Sequence, residues 1–133
     1  MKTKLSIAAV GLGMLLASVP AIAHHSFAAE FDAAKPIKLT GSVTKVEWMN
    51  PHTYFYIDVK DDKGQVTNWG LEMGSPNGLM RQGWTRNSMK IGDVVTVEGS
   101  AAKDGSNIGN ARSVTLSTGT RLFAASSQTP ANP

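Results

Sequence analysis

Ile37-Lys38-Leu39-Thr40-Gly41-Ser42-Val43-Thr44-Lys45-Val46-Glu47-Trp48 is the stretch on which the fold turns. Ile37, Leu39, Gly41 and Val43 share one face of a strand, at the two-residue period of extended chain. The next apolar positions, Val46 and Trp48, have the opposite parity. A flip of parity inside one strand needs an irregularity, so the spacing predicts a bulge or bend near Thr44-Lys45. A long first strand bent in this way can contribute to two edges, as small barrels require.

Downstream, Asn50-Pro51 interrupts pairing and a second strand is predicted over 53–60. Phe55, Ile57 and Val59 share its inner face, while Tyr54, Tyr56 and Asp58 face out. Asp61-Asp62-Lys63-Gly64 is a turn, making a hairpin to a third strand over 65–73 with Trp69, Leu71 and Met73 inward. Ser75-Pro76 then reads as a hydroxyl N-cap followed by proline at the first helical position. Leu79, Met80 and Trp84 are the apolar positions of this short helix, Gly83 suits its C-terminal cap, and Thr85 caps a further turn ending near Met89. A fourth strand over 94–101 turns Val95 and Val97 inward. A fifth over 111–116 carries Val114 and Leu116, and Arg121-Leu122-Phe123 offers a last edge pairing.

Val43, Phe55, Ile57, Trp69, Leu71, Val95, Val97 and Val114 are the expected core. Five strands with one helix between the third and fourth is the order of an oligonucleotide/oligosaccharide-binding (OB) barrel. The predicted class is therefore all-β, a small five-stranded OB-like barrel. A small open antiparallel sandwich is the rival, and the bent first strand favours closure.

The ends of the chain read differently. Lys2 and Lys4, an apolar run from Leu5 to about Ala17, Pro20 and the small-x-small site Ala21-Ile22-Ala23 make residues 1–23 a secretory signal. Residues 24–36 read as an extended N-terminal arm, 37–123 as the barrel and 124–133 as a disordered tail. The leader looks bacterial, so the expected location is the periplasm. Its apolar run is shorter than the roughly 20 residues that span a bilayer, so no stable membrane anchor is expected after cleavage. Without Lys2 and Lys4 the chain carries 11 basic against 10 acidic residues. That near-neutral charge and the exported location exclude nucleic acid as an expected partner. The absence of cysteine excludes disulfides, thiolate ligands and a lipidated start.

Ala23-His24-His25-Ser26-Phe27-Ala28-Ala29-Glu30-Phe31-Asp32 resembles an exported bacterial family catalogued only as a domain of unknown function. So do Glu47-Trp48-Met49-Asn50-Pro51-His52, Ser75-Pro76-Asn77 through Gly83-Trp84, and Lys103-Asp104-Gly105-Ser106. The resemblance covers nearly all of the mature chain. It implies a periplasmic β-barrel-like domain and supplies no activity.

Three residues carry the metal chemistry. Cleavage after Ala23 frees the α-amine of His24, which then offers two nitrogens on one residue, with His25 next in line. Amine and imidazole are borderline donors that suit Cu(II) above other divalent first-row metals. His52 is a candidate third donor if the arm folds back, and a thirteen-residue arm reaches ~40 Å when extended. The competing reading of the pair is a polar N-terminus that suits the signal peptidase. Copper-dependent polysaccharide oxidation also uses an N-terminal histidine, but on a larger domain with a flat substrate face.

A different class of function rests on Tyr54, Tyr56 and Asn68, on the outward face of the second and third strands. In OB barrels that face is the usual ligand surface, where aromatics stack on bases or sugars. A carbohydrate, a peptide or an unknown periplasmic protein would dock there. Against this stands a purely structural use, as cover for the barrel wall by the arm around Phe27 and Phe31. Trp48, Trp69 and Trp84 are expected in the core, as are Met49, Met73, Met80 and Met89. Glu47, Asp58, Glu72 and Glu98 are isolated acids that form no catalytic pair by spacing, and no nucleophile elbow, phosphate loop or zincin motif occurs. No catalytic residue is assigned. The expectation is a periplasmic binding or accessory module.

Overall fold

The computed structural model describes residues 26–126. The elements run α1 (Phe27–Glu30), β1 (Phe31–Glu47), β2 (Tyr54–Lys60), β3 (Val66–Glu72), α2 (Pro76–Arg81), β4 (Val94–Ala102), β5 (Ile108–Thr115) and β6 (Arg121–Phe123). β1 pairs antiparallel with β2 and with β4, giving the order β3-β2-β1-β4-β5-β6. Parallel pairing of Gly70, Leu71 and Glu72 with Ile108, Gly109 and Asn110 joins β3 to β5 and closes the ring. Five strands closed in this way, with a helix between the third and fourth, form an OB-like barrel; β6 is a short sixth strand along β5.

The register of β1 against β2 slips between Val43 and Lys45, at the predicted change of parity. Val43 thereby faces the core beside Ile57, and Val46 beside Phe55. Crowding around the bend leaves no room for a side chain at Gly41, where a Cβ would meet the Asp58 carbonyl oxygen. The core is Val43, Phe55, Ile57, Leu71, Met73, Leu79, Trp84, Met89, Val95, Val97, Ala111, Val114 and Ala124. Each large apolar side chain removed from water in this way contributes roughly 1.5–3 kcal/mol.

Several expectations are corrected. Of the expected arm, residues 26–36 are not a separate extended segment. From Phe27 the chain makes one helical turn and then enters β1 six residues before Ile37, pairing Phe31 with Ala102. Phe27, Phe31 and Ala102 form a second, small apolar cluster whose burial draws the arm onto the barrel, the two rings lying 5.6 Å apart. Pro36, which has no amide hydrogen, ends the register break that begins at Asp32. β5 begins at Ile108, not at 111, because its first three residues close the barrel. Residues 124 and 125 of the expected tail are buried: Ala124 donates to the Arg112 carbonyl and accepts from Gly74. Residues 1–23, expected to be a secretory signal, lie outside the described residues, as do His24, His25 and residues 127–133.

α2 starts as expected, with Ser75 Oγ accepting from the Gly78 amide at 3.2 Å and Pro76 in the first turn. Thr85 caps a further turn as expected: its Oγ1 accepts from the Asn87 amide at 3.2 Å, and its own amide donates to Ser88 Oγ at 2.8 Å. Trp84 is buried, its indole donating to the Phe123 carbonyl at 2.8 Å, whereas Trp48 and Trp69 are only partly buried against the core. Met49 and Met80 are exposed, because Met49 stands in the β1–β2 loop and Met80 on the outer side of α2. Among the described residues no helix is long and apolar enough to cross a membrane.

Candidate functional site

The outward faces of β2 and β3 bring together the chemistry-bearing residues. In the β2–β3 register Tyr54 stands opposite Glu72, Tyr56 opposite Gly70 and Asp58 opposite Asn68. Glu72 is the unusual member, a carboxylate whose residue is only 6% exposed. Burial of an ion without partners is costly, and both of its oxygens have one. Tyr54 Oη donates to Oε2 at 2.5 Å, and His52 Nδ1 lies 3.3 Å from Oε1. Burial, then the hydrogen bond to Glu72, pushes the Tyr54 phenol far above the usual tyrosine range.

His52 follows Pro51, whose peptide bond with Asn50 is cis. The next residue, Thr53, re-enters the sheet region through backbone hydrogen bonds with Gly74 and Met73. The loop thus delivers His52 to the end of β3, where Glu72 meets it. Glu72 and Tyr54 line a cavity of about 410 Å³ together with Ala29, Glu30, Lys103 and Asp104. His52 lines a different cavity, of about 530 Å³, between α2 and the segment after β6. The His52–Glu72 pair therefore stands between the two.

The other expected face residues are held by their own neighbours. Tyr56 Oη donates to Glu47 Oε2 at 3.3 Å, and the Lys45 ammonium sits 5.4 Å from the ring centroid. The ring also lies against Gly70, where a Cβ would come within 3.1 Å of it. Burial and the Glu47 charge raise the Tyr56 phenol, while the Lys45 hydrogen bond lowers the Glu47 carboxyl. Asn68 Nδ2 donates to Asp58 Oδ1 at 2.8 Å and to Thr44 Oγ1 at 3.2 Å.

Of the predicted site residues, the structure places Tyr54, Tyr56 and Asn68 on one face and His52 at its end. His24 and His25 are outside the described residues. Among the described residues no group of three or more histidine, aspartate or glutamate side chains is placed to hold a metal ion. Sequence reasoning passed over Glu72 as an isolated acid. A signal was present: a turn at Asp61–Gly64 sets Tyr54 opposite Glu72, an acid held between the inward Leu71 and Met73.

Fold and site together define a small OB-like β-barrel domain with a buried carboxylate at the end of its third strand. The chain belongs to DUF6152, a family of unknown function, which matches residues 12–111. No match was found among curated proteins. Among solved structures the chain is similar to the mitochondrial single-stranded DNA binding protein Rim1 from S. cerevisiae. That similarity has 13% identity and a TM-score of 0.49, covering 62% of this chain and 92% of Rim1. The exclusion of nucleic acid as a partner is withdrawn as a correction, because a solved structure similar to this chain is a single-stranded DNA binding protein. What Rim1 binds remains a statement about Rim1.

Proposed function

We propose that this protein is an exported, periplasmic binding module that captures Cu(II) through the histidine pair freed at its mature N-terminus. The observation that carries this reading is the docking of α1. Ala29 and Glu30, five and six residues after His24, line the same cavity as Tyr54 and Glu72. Only two residues, His25 and Ser26, stand between His24 and Phe27, a tether of ~10 Å at most. Three acids, Glu30, Glu72 and Asp104, line that cavity against one base, Lys103, a balance that favours a cation beside it.

His24 provides an amine and an imidazole, His25 a second imidazole, and His52 a further one. Glu72 beside His52 Nδ1 is the arrangement in which a carboxylate orients an imidazole and leaves Nε2 as the donor. The alternative, docking of a carbohydrate, peptide or protein on the Tyr54, Tyr56 and Asn68 face, has less support. Each of those side chains is bonded to a neighbour on its own sheet.

Exported protein purified with no tag at its N-terminus tests the reading. Its intact mass should begin at His24, and its metal content should be enriched in copper over zinc. A chain beginning at Phe27 or later, or one without copper enrichment, contradicts it.

A further inference from the structure

We propose that the cavity between α2 and the segment after β6 binds a small organic carboxylate with an apolar body. The inference does not rest on the copper reading. At about 530 Å³ the cavity has the size of a small-molecule site. Its walls divide by chemistry. Pro51 and Phe123 give an apolar side, and Phe123 is 51% exposed, a large ring left uncovered at the rim. Ser75, Arg81, Gln82 and His52 give the polar side.

Among the described residues that line the cavity Arg81 is a cation and none is an aspartate or glutamate; Glu72, which meets His52 Nδ1 at 3.3 Å, lines the other cavity. Arg81 Nε donates to the Asn77 carbonyl at 3.2 Å, which anchors the stem of the guanidinium along α2. Among the described residues the guanidinium has no carboxylate within ion-pair distance. A planar fork of donors held in place and lacking an acid matches a carboxylate in two parallel hydrogen bonds.

Gly78 adds an independent observation. Glycine is a poorer helix residue than alanine. Gly78 has no left-handed backbone to excuse it, and a Cβ there would meet only Ser75 Oγ, at 3.2 Å. Nothing else lies within 4 Å of that Cβ position, and Gly78 is one of the residues that line the cavity. A side chain at this position would occupy space that a ligand needs.

The test uses the full exported chain, isotopically labelled and treated with a chelator so that metal plays no part. Benzoate and the neutral, isosteric benzamide serve as probes, followed by amide chemical shifts. Benzoate should move the amides of Gly74, Gly78 and Ala125 saturably, and benzamide should bind at least tenfold more weakly. Arg81→Gln should weaken benzoate at least tenfold, with Arg81→Lys intermediate because charge survives without the fork. Equal binding of both probes, an unchanged benzoate affinity in Arg81→Gln, or no saturable shift at about 10 mM overturns the proposal. A variant ending at Ser126, on the rim of the cavity, is titrated in parallel. Benzoate binding to that variant alone would make residues 127–133 the cavity's occupant, and the proposal would fall.

Discussion

Tyr54 and Glu72 are cross-strand partners on β2 and β3, and the tyrosine hydroxyl donates to the buried carboxylate at 2.5 Å. The hydroxyl is therefore more than a wetted edge of the barrel. It supplies one of the two polar contacts that make burial of Glu72 tolerable, the other coming from His52. Tyr54→Phe should cost roughly 1–3 kcal/mol, the penalty for leaving a buried acceptor without its donor. Tyr56→Phe removes only a 3.3 Å contact to the better solvated Glu47 and should cost less than about 0.5 kcal/mol. Chemical denaturation of the two variants checks this, and equal losses would contradict the role given to Glu72.

The same environment predicts a titration. The chain has two tyrosines, and both phenols are raised, Tyr54 more than Tyr56. Ultraviolet titration of chelator-treated protein should show both ionising above the unfolded value of about 10, with Tyr54 last. A raised phenol favours the folded state fully below that value. The unfolded chain loses its protons first, so the contribution is lost as pH rises past about 10 towards the folded pKa. Stability that rose with pH in that window would reverse the sign argued here.

Thr53 supplies a contrast to Glu72. Its Oγ1 is buried and, among the described residues, has no hydrogen-bond partner. An unsatisfied buried hydroxyl costs free energy that an isosteric methyl does not. Thr53→Val should leave stability within about 0.5 kcal/mol or raise it. A loss above 1 kcal/mol, read from denaturation midpoints, would mean that the hydroxyl has a partner after all.

Much of the barrel was legible because its signals are periodic. The parity change between Val43 and Val46 located the slip in β1, and the Ser75-Pro76 pair located the start of α2. Phe55, Ile57, Leu71, Val95, Val97 and Val114 lie in the core as their alternation requires. What escaped were contacts without a period. The arm's docking rests on two phenylalanines against Ala102, far away in the sequence, and closure of the barrel rests on three residues around Gly109. A Cβ at Gly109 would come within 2.5 Å of Ile37 Cδ1, a close approach that no local pattern announces.

The candidate site was legible in its residue types and not in its pairing. His52, Tyr54, Tyr56 and Asn68 stood out by chemistry, but the contacts that occupy Tyr56 and Asn68 come from Thr44, Lys45 and Glu47 on β1 and Asp58 on β2. Glu72 looked inert because an acid's partners depend on register, and Arg81 because its significance lies in which residues are missing around it. Met49 and Met80 misled in the opposite direction, since a methionine beside a turn or on a six-residue helix need not face the core.

The central claim is that the free amine of His24 is a copper ligand. Adding one alanine before His24 turns that amine into an amide and moves the new amine one residue away, leaving the described barrel untouched. Calorimetric Cu(II) titration of the native and extended proteins compares them directly. The account predicts at least a tenfold loss of affinity on extension, ~1.4 kcal/mol, with the thermal midpoint of the metal-free protein unchanged. Equal copper affinity in the two proteins would contradict it.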